Sequence, residues 1–192
     1  MSQSDPLTIL HNSLRGAPII WKGDYPYFIH PISDGIPRME AEVLRATRDL
    51  IVSIVDWSEI DLIVSVEAMG LPLLAAVGEM TGKPTLVIRK RPYGMEGEVR
   101  VDVSTGYSQS TAYINDISPG ERILVVDDVI STGGTLEPIL DSLEGMGAIL
   151  QEIVVAIEKG EGRERLSKER QGWPIRTLAK IEIIDGKVEI VE

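Results

Sequence analysis

Short apolar runs alternate with helical patterns through most of this chain, and that alternation constrains the fold more than any other feature. Four runs are typical of buried strands: DLIVSV, TLVIRK, ILVV and EIVVAIEKG. LPLLAAVGEM and GTLEPILDSLEGMGA, which lie among them, carry apolar residues at helical spacing. Strands that alternate with helices in this way predict an α/β fold, in which helices cover both faces of a parallel sheet.

The two ends of the chain predict further elements around that sheet. Helical spacing predicts helices from Asp5 to Leu14 and from Met39 to Val55, with extended or looped chain between them. Near the C-terminus, IEIIDGKVEIV holds two alternating runs around Asp185-Gly186, which predicts a β-hairpin beside the main sheet. The chain has 192 residues and no internal repeat or long linker, so we expect a single domain.

Charge and cysteine content exclude several classes of protein. The formal net charge is −11, so non-specific attraction to nucleic acid or to an anionic membrane is not expected. The chain has no cysteine, which excludes disulfides, thiolate catalysis and zinc–cysteine sites. We find no pattern of a signal peptide or membrane span, and we expect a cytoplasmic protein. Against this acidic background, Arg89, Lys90 and Arg91 form a local basic segment.

The polar chemistry of the chain is concentrated where the predicted strands end. In open parallel sheets, ligands bind in the crevice at the carboxyl ends of the strands. The segments found at those four ends are EAMG, RKR, DDVISTGGT and EKG. We therefore expect these segments to meet at one edge of the sheet and to form the functional site.

DDVISTGGT is the most informative of the four segments. Asp127 and Asp128 are adjacent carboxylates that are costly to bury unpaired, but at a strand end they can bind a cation or sugar hydroxyls. The Ser/Thr/Gly turn that follows offers N–H groups and hydroxyls to a phosphate. An acidic strand end with an N-capping Ser or Thr is the alternative without a ligand. Neither G-x-x-x-x-G-K-[ST] nor G-x-G-x-x-G is present, which disfavours ordinary nucleotide hydrolases and dinucleotide oxidoreductases.

ILVVDDVISTGGT resembles the phosphoribosyl-pyrophosphate (PRPP) signature of the type I phosphoribosyltransferases. Four further segments resemble that family in the same order: VSVEAMGLPLL its pyrophosphate loop, VIRKRPYG the basic strand end, VDVSTGYSQSTAYI the mobile loop and AIEKGEGRERL the purine-side segment. The resemblance covers about residues 15–170 and is strongest to the archaeal hypoxanthine/guanine enzymes, which carry a similar YFIHPISDG. It implies a Rossmann-like parallel sheet flanked by helices, a small hood from about 1–38 and 160–192, and a C-terminal hairpin.

The resemblance also implies a role for each matching segment around PRPP and Mg²⁺. Asp127 and Asp128 would bind the ribose hydroxyls and Mg²⁺, directly or through water, and would share the catalytic role with Arg89 and Lys90. The 5-phosphate would lie on Ser131, Thr132, Gly133, Gly134 and Thr135. The pyrophosphate would lie on Glu67, Ala68, Met69, Gly70, Arg89 and Lys90. The mobile loop would carry Ser104, Thr105 and Tyr107.

The purine would lie, by the same resemblance, against Lys159, Val129 and Phe28, with Tyr27 and His30 in the hood. A lysine ammonium only donates hydrogen bonds, so Lys159 suits a purine O6 and favours hypoxanthine or guanine over adenine. The alternative is that Lys159 is simply an exposed lysine at a strand end, with no role in binding the purine. Mammalian-type relatives place an Asp that accepts the purine proton where this chain has Ser131, so no general base is assigned. Glu67, Glu158 and solvent are the candidates for accepting the purine proton.

Three functions stay open at this point. The first is a hypoxanthine/guanine phosphoribosyltransferase, and the second is an enzyme for another acceptor, with adenine before xanthine and orotate. The third is a regulator that keeps the PRPP pocket without catalysis. A DNA-binding regulator needs an additional helical domain for which the chain has no room, and RNA binding needs a basic face. The pyrophosphate loop and mobile loop favour an enzyme, and the family implies a homodimer that acts on small molecules.

Overall fold

A computed structural model describes residues 5–23, 25–104, 109–170 and 172–191 of the chain. The α-helices in this part are α1 (Pro6–Arg15), α2 (Pro31–Asp34), α3 (Ala41–Ile54), α4 (Gly70–Thr81), α5 (Leu136–Gly145) and α6 (Gly162–Glu169). The strands are β1 (Ile19–Lys22), β2 (Tyr25–Phe28), β3 (Leu62–Val66), β4 (Thr85–Ile88), β5 (Val99–Ser104), β6 (Gln109–Ile114), β7 (Arg122–Ile130), β8 (Ile149–Lys159), β9 (Ile175–Ile184) and β10 (Lys187–Val191). A 3-10 helix covers Trp57–Glu59. None of the described helices is long and apolar enough to cross a lipid bilayer.

Six strands form one sheet in the order β10-β9-β8-β7-β3-β4. The five strands from β9 to β4 in this order run parallel to one another, and β10 pairs antiparallel with β9 at the edge. β1 pairs with β2, and β5 pairs with β6, in two separate antiparallel hairpins. The predicted parallel sheet flanked by helices is therefore confirmed.

The sheet carries an apolar layer on each of its faces. In β7, Ile123 and Val125 belong to one layer, whereas Leu124 and Val126 belong to the other, because successive strand residues point to opposite faces. Residues of α5, α6 and the β5–β6 hairpin complete the first layer, and residues of α1, α3 and α4 complete the second. All four of these β7 residues are fully buried, which explains the unbroken apolar run at this point of the sequence.

The helix predictions agree with the structure, but two strand predictions need correction. β7 does not end before the aspartates: it continues through Asp127 and Asp128 to Ile130, because its hydrogen bonding with β8 continues to Glu158. The segment VDVSTGYSQSTAYI, expected to be a mobile loop, forms the paired strands β5 and β6 on either side of residues 105–108. Those four residues lie outside the part that the structure describes.

The C-terminal hairpin is confirmed as β9 and β10, with Asp185 and Gly186 at positive φ in its turn. Its predicted place beside the main sheet was wrong, since β9 pairs with β8 and extends that sheet. Burial explains the difference: Ile181 and Val188 pack into an apolar layer of the sheet, and a separate hairpin would leave them in water. The division into one domain with a hood stays a prediction.

A buried histidine joins the N-terminal helix to the segment that leads into the sheet. His30 precedes α2, and its Nδ1 accepts a hydrogen bond of 3.2 Å from the Ile32 amide. Its Nε2 therefore carries the proton and donates to the Ser13 hydroxyl of α1 at 3.1 Å, while Ser13 donates to the Leu10 carbonyl. The backbone amide of His30 donates to Asp34 at 3.0 Å. This network fixes the position of α2.

We predict that His30 makes the protein less stable in mild acid. Burial lowers the pKa of His30 from 6.5 to about 4, so below pH 6.5 the unfolded chain binds a proton that the folded chain does not. The free energy of unfolding should therefore fall as the pH is lowered from 6.5 to 4, by about 3 kcal/mol from this group. Urea unfolding of the native chain and of His30→Asn between pH 4 and 8 measures the difference. Asparagine keeps a helix-capping acceptor but does not titrate.

His11→Asn is the matched control, because His11 is the other histidine of the chain and is less buried than His30. It should retain most of the pH dependence of the native chain, whereas His30→Asn should show a flatter profile. Equal pH dependence in the native chain and His30→Asn would contradict the prediction.

Candidate active site

The chain reverses its direction across the sheet between β3 and β7. From β3 it crosses to β4 on one side, and after the β5–β6 hairpin it returns to β7 on the other side of β3. The pairing of β3 with β7 ends at Val64 and Val125, although both strands continue further. Parallel strands that separate at such a reversal leave a crevice at their carboxyl ends, where ligands bind in open α/β sheets.

Asp127 and Asp128 lie on β7 at this crevice. Asp127 is 8% exposed and accepts a hydrogen bond of 3.0 Å from the Asp128 amide. Burial raises the pKa of Asp127 above its ordinary value. Burial, and then repulsion from the Asp127 carboxylate, raise the pKa of Asp128 well above its ordinary value. The surroundings therefore make the charged form of both carboxyl groups less stable. A bound cation or a hydroxyl-rich ligand would lower the free-energy cost of that charged form.

The loop after β7 runs into the first turn of α5 and is held by close contacts at its glycines. A Cβ on Gly134 would lie 2.5 Å from the Ser104 carbonyl oxygen, so only glycine lets β5 pack here. The Ser104 amide donates to the Gly134 carbonyl at 3.1 Å, and Gly133 adopts a φ of +82°. The loop thus brings hydroxyls and the N-terminal amides of α5 together, a combination that suits a phosphate.

Gly70 brings the predicted pyrophosphate loop against the aspartate pair. It is the first residue of α4, and a Cβ at this position would lie 1.9 Å from the Ser65 hydroxyl and 3.2 Å from Asp127 Oδ1. Glycine is therefore required for α4 to begin this close to β3 and β7. The peptide bond between Glu67 and Ala68 is cis. Glu67, Ala68 and Met69 connect the carboxyl end of β3 to Gly70, which lies beside Asp127.

The two predicted basic residues differ in their surroundings. Arg89 forms an ion pair with Glu67, and its backbone pairs with Tyr113 of β6. Its positive charge is thus partly compensated within the protein, which the sequence did not indicate. Lys90 is exposed and lowers the pKa of Asp127 by its positive charge, although burial of Asp127 outweighs that effect. Lys90 is therefore near enough to the aspartates to act on an anion bound beside them.

The purine-side residues meet the aspartates in one cavity of about 330 Å³. The Lys159 ammonium donates to the Pro26 carbonyl at 2.9 Å and lies 5.9 Å and 5.8 Å from the ring centres of Tyr27 and Phe28. Val129 lines the same cavity. The further lining residues that sequence analysis had predicted are Ser104, Asp127, Asp128, Ser131, Thr132, Gly133, Gly134 and Thr135. The cavity therefore joins the predicted phosphate loop to the predicted purine site.

Four residues of the cavity wall were not predicted from the sequence: Ile130, Leu136, and Ser33 and Asp34 of α2. The Asp34 carboxylate accepts from the Ser33 hydroxyl at 2.6 Å, and its charge adds to the rise in the pKa of Asp128. Proline at the first helical position in HPISD was the available sign of a short helix here. His30, expected in the hood near the purine, is instead buried in the network with α1 and α2.

The two protein candidates for a general base are both ion-paired. Glu67 pairs with Arg89, and Glu158 pairs with Arg163 at 2.5 Å. Neither glutamate is among the described residues that line the 330 Å³ cavity. Of the mobile-loop residues, Ser104 lines the cavity, whereas Thr105 and Tyr107 lie outside the described residues.

Comparison with known proteins gives similar sequences over nearly the whole chain. Residues 34–179 match the phosphoribosyl transferase domain family. The hypoxanthine/guanine phosphoribosyltransferase of Methanocaldococcus infernus is 48% identical over 181 residues, which are 94% of this chain and 98% of that protein. The enzyme of the same name from Aciduliprofundum boonei is 45% identical over 97% of this chain and 100% of its own length.

Solved structures with the same fold carry a different name. The adenine phosphoribosyltransferase of Thermoanaerobacter pseudethanolicus has a TM-score of 0.74 and 22% identity, covering 91% of this chain and 99% of its own. The adenine phosphoribosyltransferase of Trypanosoma brucei has a TM-score of 0.74 and 19% identity, and the match covers 94% of this chain and 81% of that chain. At these identities the likeness shows the fold alone. The family match over residues 34–179, together with relatives more than 40% identical over almost their full length, shows that this chain belongs to the phosphoribosyltransferases.

Proposed function

We propose that this phosphoribosyltransferase serves purine salvage, transferring the 5-phosphoribosyl group of PRPP to hypoxanthine or guanine. The products are IMP or GMP and pyrophosphate. The observation that carries the proposal is the single cavity that joins Lys159, the aspartate pair and the loop of residues 131–135. This cavity brings together a hydrogen-bond donor for the purine, carboxylates for the ribose hydroxyls and a loop for the 5-phosphate. The relatives named hypoxanthine/guanine phosphoribosyltransferase support the same acceptors.

The ribose and its phosphate are assigned to β7 and the loop after it. Asp127 and Asp128 accept hydrogen bonds from the 2- and 3-hydroxyls, which replaces part of the hydration that the buried carboxylates have lost. The 5-phosphate lies on Ser131, Thr132, Gly133, Gly134 and Thr135. The helix dipole of α5 and the N–H groups at its start favour this anion.

The aspartate pair also fits a magnesium ion. Burial raises the pKa of both carboxylates, and repulsion from Asp127 raises that of Asp128 further. A divalent cation bound to their oxygens would stabilise the charged form of both groups. We assign Mg²⁺ to Asp127 and Asp128, directly or through water. When bound, the ion supplies positive charge to the departing pyrophosphate.

The pyrophosphate is assigned to the crevice between β3 and β7. Backbone groups of Ala68, Met69 and Gly70 approach it, and the positive charges of Arg89 and Lys90 stabilise it. In the reaction the bond between ribose C1 and the pyrophosphate oxygen breaks with both electrons leaving on the oxygen. Purine N9 then forms the new bond to C1, and the purine loses one proton. Positioning and charge stabilisation are the contributions of the protein residues.

Lys159 is assigned to the purine O6. An ammonium only donates hydrogen bonds, as Lys159 does to the Pro26 carbonyl at 2.9 Å, so it is matched to an acceptor such as the O6 of a 6-oxopurine. The rings of Tyr27 and Phe28 lie beside it and provide an apolar wall for a flat base, as does Val129.

Two other assignments remain as alternatives. An adenine acceptor is suggested by the names of the similar solved structures, but their identities of 24% or less support the fold alone. A regulator without catalysis would keep the whole PRPP pocket, including the pyrophosphate loop at Gly70, so only a measurement of turnover separates it from an enzyme. The homodimer, the cytoplasmic location, the mobile-loop roles of Ser104, Thr105 and Tyr107, and the absence of nucleic-acid or membrane partners stay predictions from the sequence.

The direct test is a turnover panel of hypoxanthine, guanine, xanthine, adenine and orotate with PRPP and Mg²⁺. We expect nucleotide formation from hypoxanthine and guanine, with kcat/KM at least about 100-fold above that for adenine, because a lysine ammonium cannot accept a hydrogen bond from the adenine amino group. PRPP binding without turnover of any base would support the regulator instead. Turnover of adenine alone would change the proposed acceptor to adenine but would leave the proposed phosphoribosyl transfer unchanged.

Lys159→Leu should weaken the use of 6-oxopurines much more than the binding of PRPP. Loss of a charged hydrogen bond predicts a fall of roughly 10- to 100-fold in kcat/KM for hypoxanthine, with PRPP affinity changed by less than about threefold. Steady-state kinetics and calorimetric titration measure the two quantities. Lys187→Leu is the control, since Lys187 is an exposed lysine on the edge strand β10. Unchanged relative rates on hypoxanthine and adenine would refute the assignment of Lys159.

Asp128→Asn should make the protein more stable and less active. Because the folded state raises the pKa of Asp128, its carboxylate destabilises the fold at neutral pH, and a neutral amide removes that cost. We expect a higher melting temperature at pH 7.5, a smaller gain at pH 4, and at least about a 100-fold loss in kcat/KM. Asp56→Asn is the control, because Asp56 is an exposed acid that caps the 3-10 helix. A destabilised but fully active Asp128→Asn would contradict the proposed role.

A further inference from the structure

Glu158 is a buried acid at the end of β8 that the proposed reaction does not use. Its side chain is 1% exposed, and Oε2 accepts hydrogen bonds from Arg163 Nε at 2.5 Å and from Thr177 Oγ1 at 2.9 Å. The Lys180 ammonium lies 3.6 Å from Oε1. Oε1 makes no hydrogen bond to any described residue, so the two hydrogen bonds to Oε2 hold this buried carboxylate in place.

Glu158 and Lys159 are neighbours on β8 whose side chains lie on opposite sides of the strand. Lys159 reaches the Pro26 carbonyl in the hairpin β1–β2, whereas Glu158 reaches Arg163 in the first turn of α6. The end of β8 therefore connects the purine side of the cavity with α6.

α6 in turn packs directly on the loop of residues 131–135. The Gly162 amide donates to the Ser131 carbonyl at 2.8 Å, and a Cβ on Gly162 would lie 2.2 Å from that oxygen. Arg165 Nη2 donates to the Thr132 carbonyl at 3.1 Å. A Cβ on Gly133 would lie 2.9 Å from Leu166 Cδ1, so this face of the loop takes its shape from α6.

We propose that the Glu158–Arg163 ion pair is a positioning device for the 5-phosphate loop, with Arg163 and Glu158 as positioning residues and not catalytic ones. The pair holds the first turn of α6 to the end of β8, and α6 holds the carbonyls of Ser131 and Thr132. The loop amides and hydroxyls then face the cavity in a fixed arrangement. This inference rests on the proposed function, because it takes the 5-phosphate to lie on this loop.

The same sheet contains a matched ion pair without this connection. Arg176 of β9 pairs with Glu152 of β8, so it joins the same two elements that Glu158 and Thr177 join. Glu152 precedes Glu158 by six residues, which is roughly 20 Å along an extended strand. It therefore lies well back from the carboxyl edge. A variant that lacks the Arg176–Glu152 pair therefore shows how much the loss of such an ion pair lowers stability when the 5-phosphate loop is not involved.

The experiment compares Arg163→Met, Arg163→Lys and Arg176→Met with the native chain. Calorimetric titration with ribose 5-phosphate reports on the 5-phosphate loop, and titration with pyrophosphate reports on the crevice at Gly70. Melting temperatures report on stability. We expect Arg163→Met to lose about tenfold in affinity for ribose 5-phosphate while its pyrophosphate affinity stays within about twofold, because only one of the two sites is displaced.

Arg163→Lys should recover a large part of the ribose 5-phosphate affinity, since an ammonium can still pair with Glu158. Arg176→Met should lower the melting temperature without changing either affinity. The positioning role is overturned if Arg163→Met binds ribose 5-phosphate like the native chain, or if it loses both ligands equally. Failure of the native chain to bind ribose 5-phosphate would overturn the proposed function, and this inference with it, before any variant is compared.

Discussion

Two carboxylates on a buried strand are the constraint around which this active-site region is arranged. Asp127 and Asp128 lie where β7 separates from β3, and burial raises the pKa of both. A fold gains nothing from such a pair by itself, since desolvation and repulsion both oppose it. Perturbed pKa values of this kind cluster at functional sites, and a bound cation or hydroxyl-rich ligand would reduce the cost of the pair.

Glycine at three points lets the surrounding segments reach that strand. Gly70 allows α4 to begin against Ser65 and Asp127, and Gly134 allows β5 to pack against the phosphate loop. Gly162 allows α6 to approach the same loop from another side. In each case a Cβ would lie within 2.5 Å of a neighbouring atom. The cavity thus depends on close backbone packing that a side chain at these three positions would prevent. This packing brings together elements that are distant in sequence.

Ion pairs then adjust the charge around the site. Arg89 is paired with Glu67, and Glu158 is paired with Arg163, so neither glutamate is left as an unpaired acid. Lys90 is exposed near the aspartates, and Lys159 lines the cavity beside two aromatic rings. Positive charge is therefore available in and near this cavity, although the net charge of the chain is −11. Such local placement lets an acidic protein bind a polyanion.

The order of the main strands of the sheet and of helices α1, α3, α4 and α5 could be predicted from the sequence, because hydrophobic periodicity is a local property. The run ILVV requires burial on both faces, and Asp185-Gly186 requires a tight turn, whatever surrounds them. The cavity-lining segment of residues 127–135 could be located as well, because an acidic pair followed by hydroxyls and glycines has few uses at the end of a parallel strand. Ser33 and Asp34 could not, since nothing in their local pattern indicates which wall α2 forms.

Sequence alone thus determined the fold class and located the aspartate pair and the Ser/Thr/Gly loop after it, each of which depends on residues close together in the chain. Tertiary structure decided that β7 continues past the aspartates, that β9 joins the sheet, that Glu67 compensates Arg89, and that α6 packs on the loop of residues 131–135. All four depend on contacts between residues far apart in sequence. Their energies come from burial and pairing in three dimensions, which local pattern does not encode.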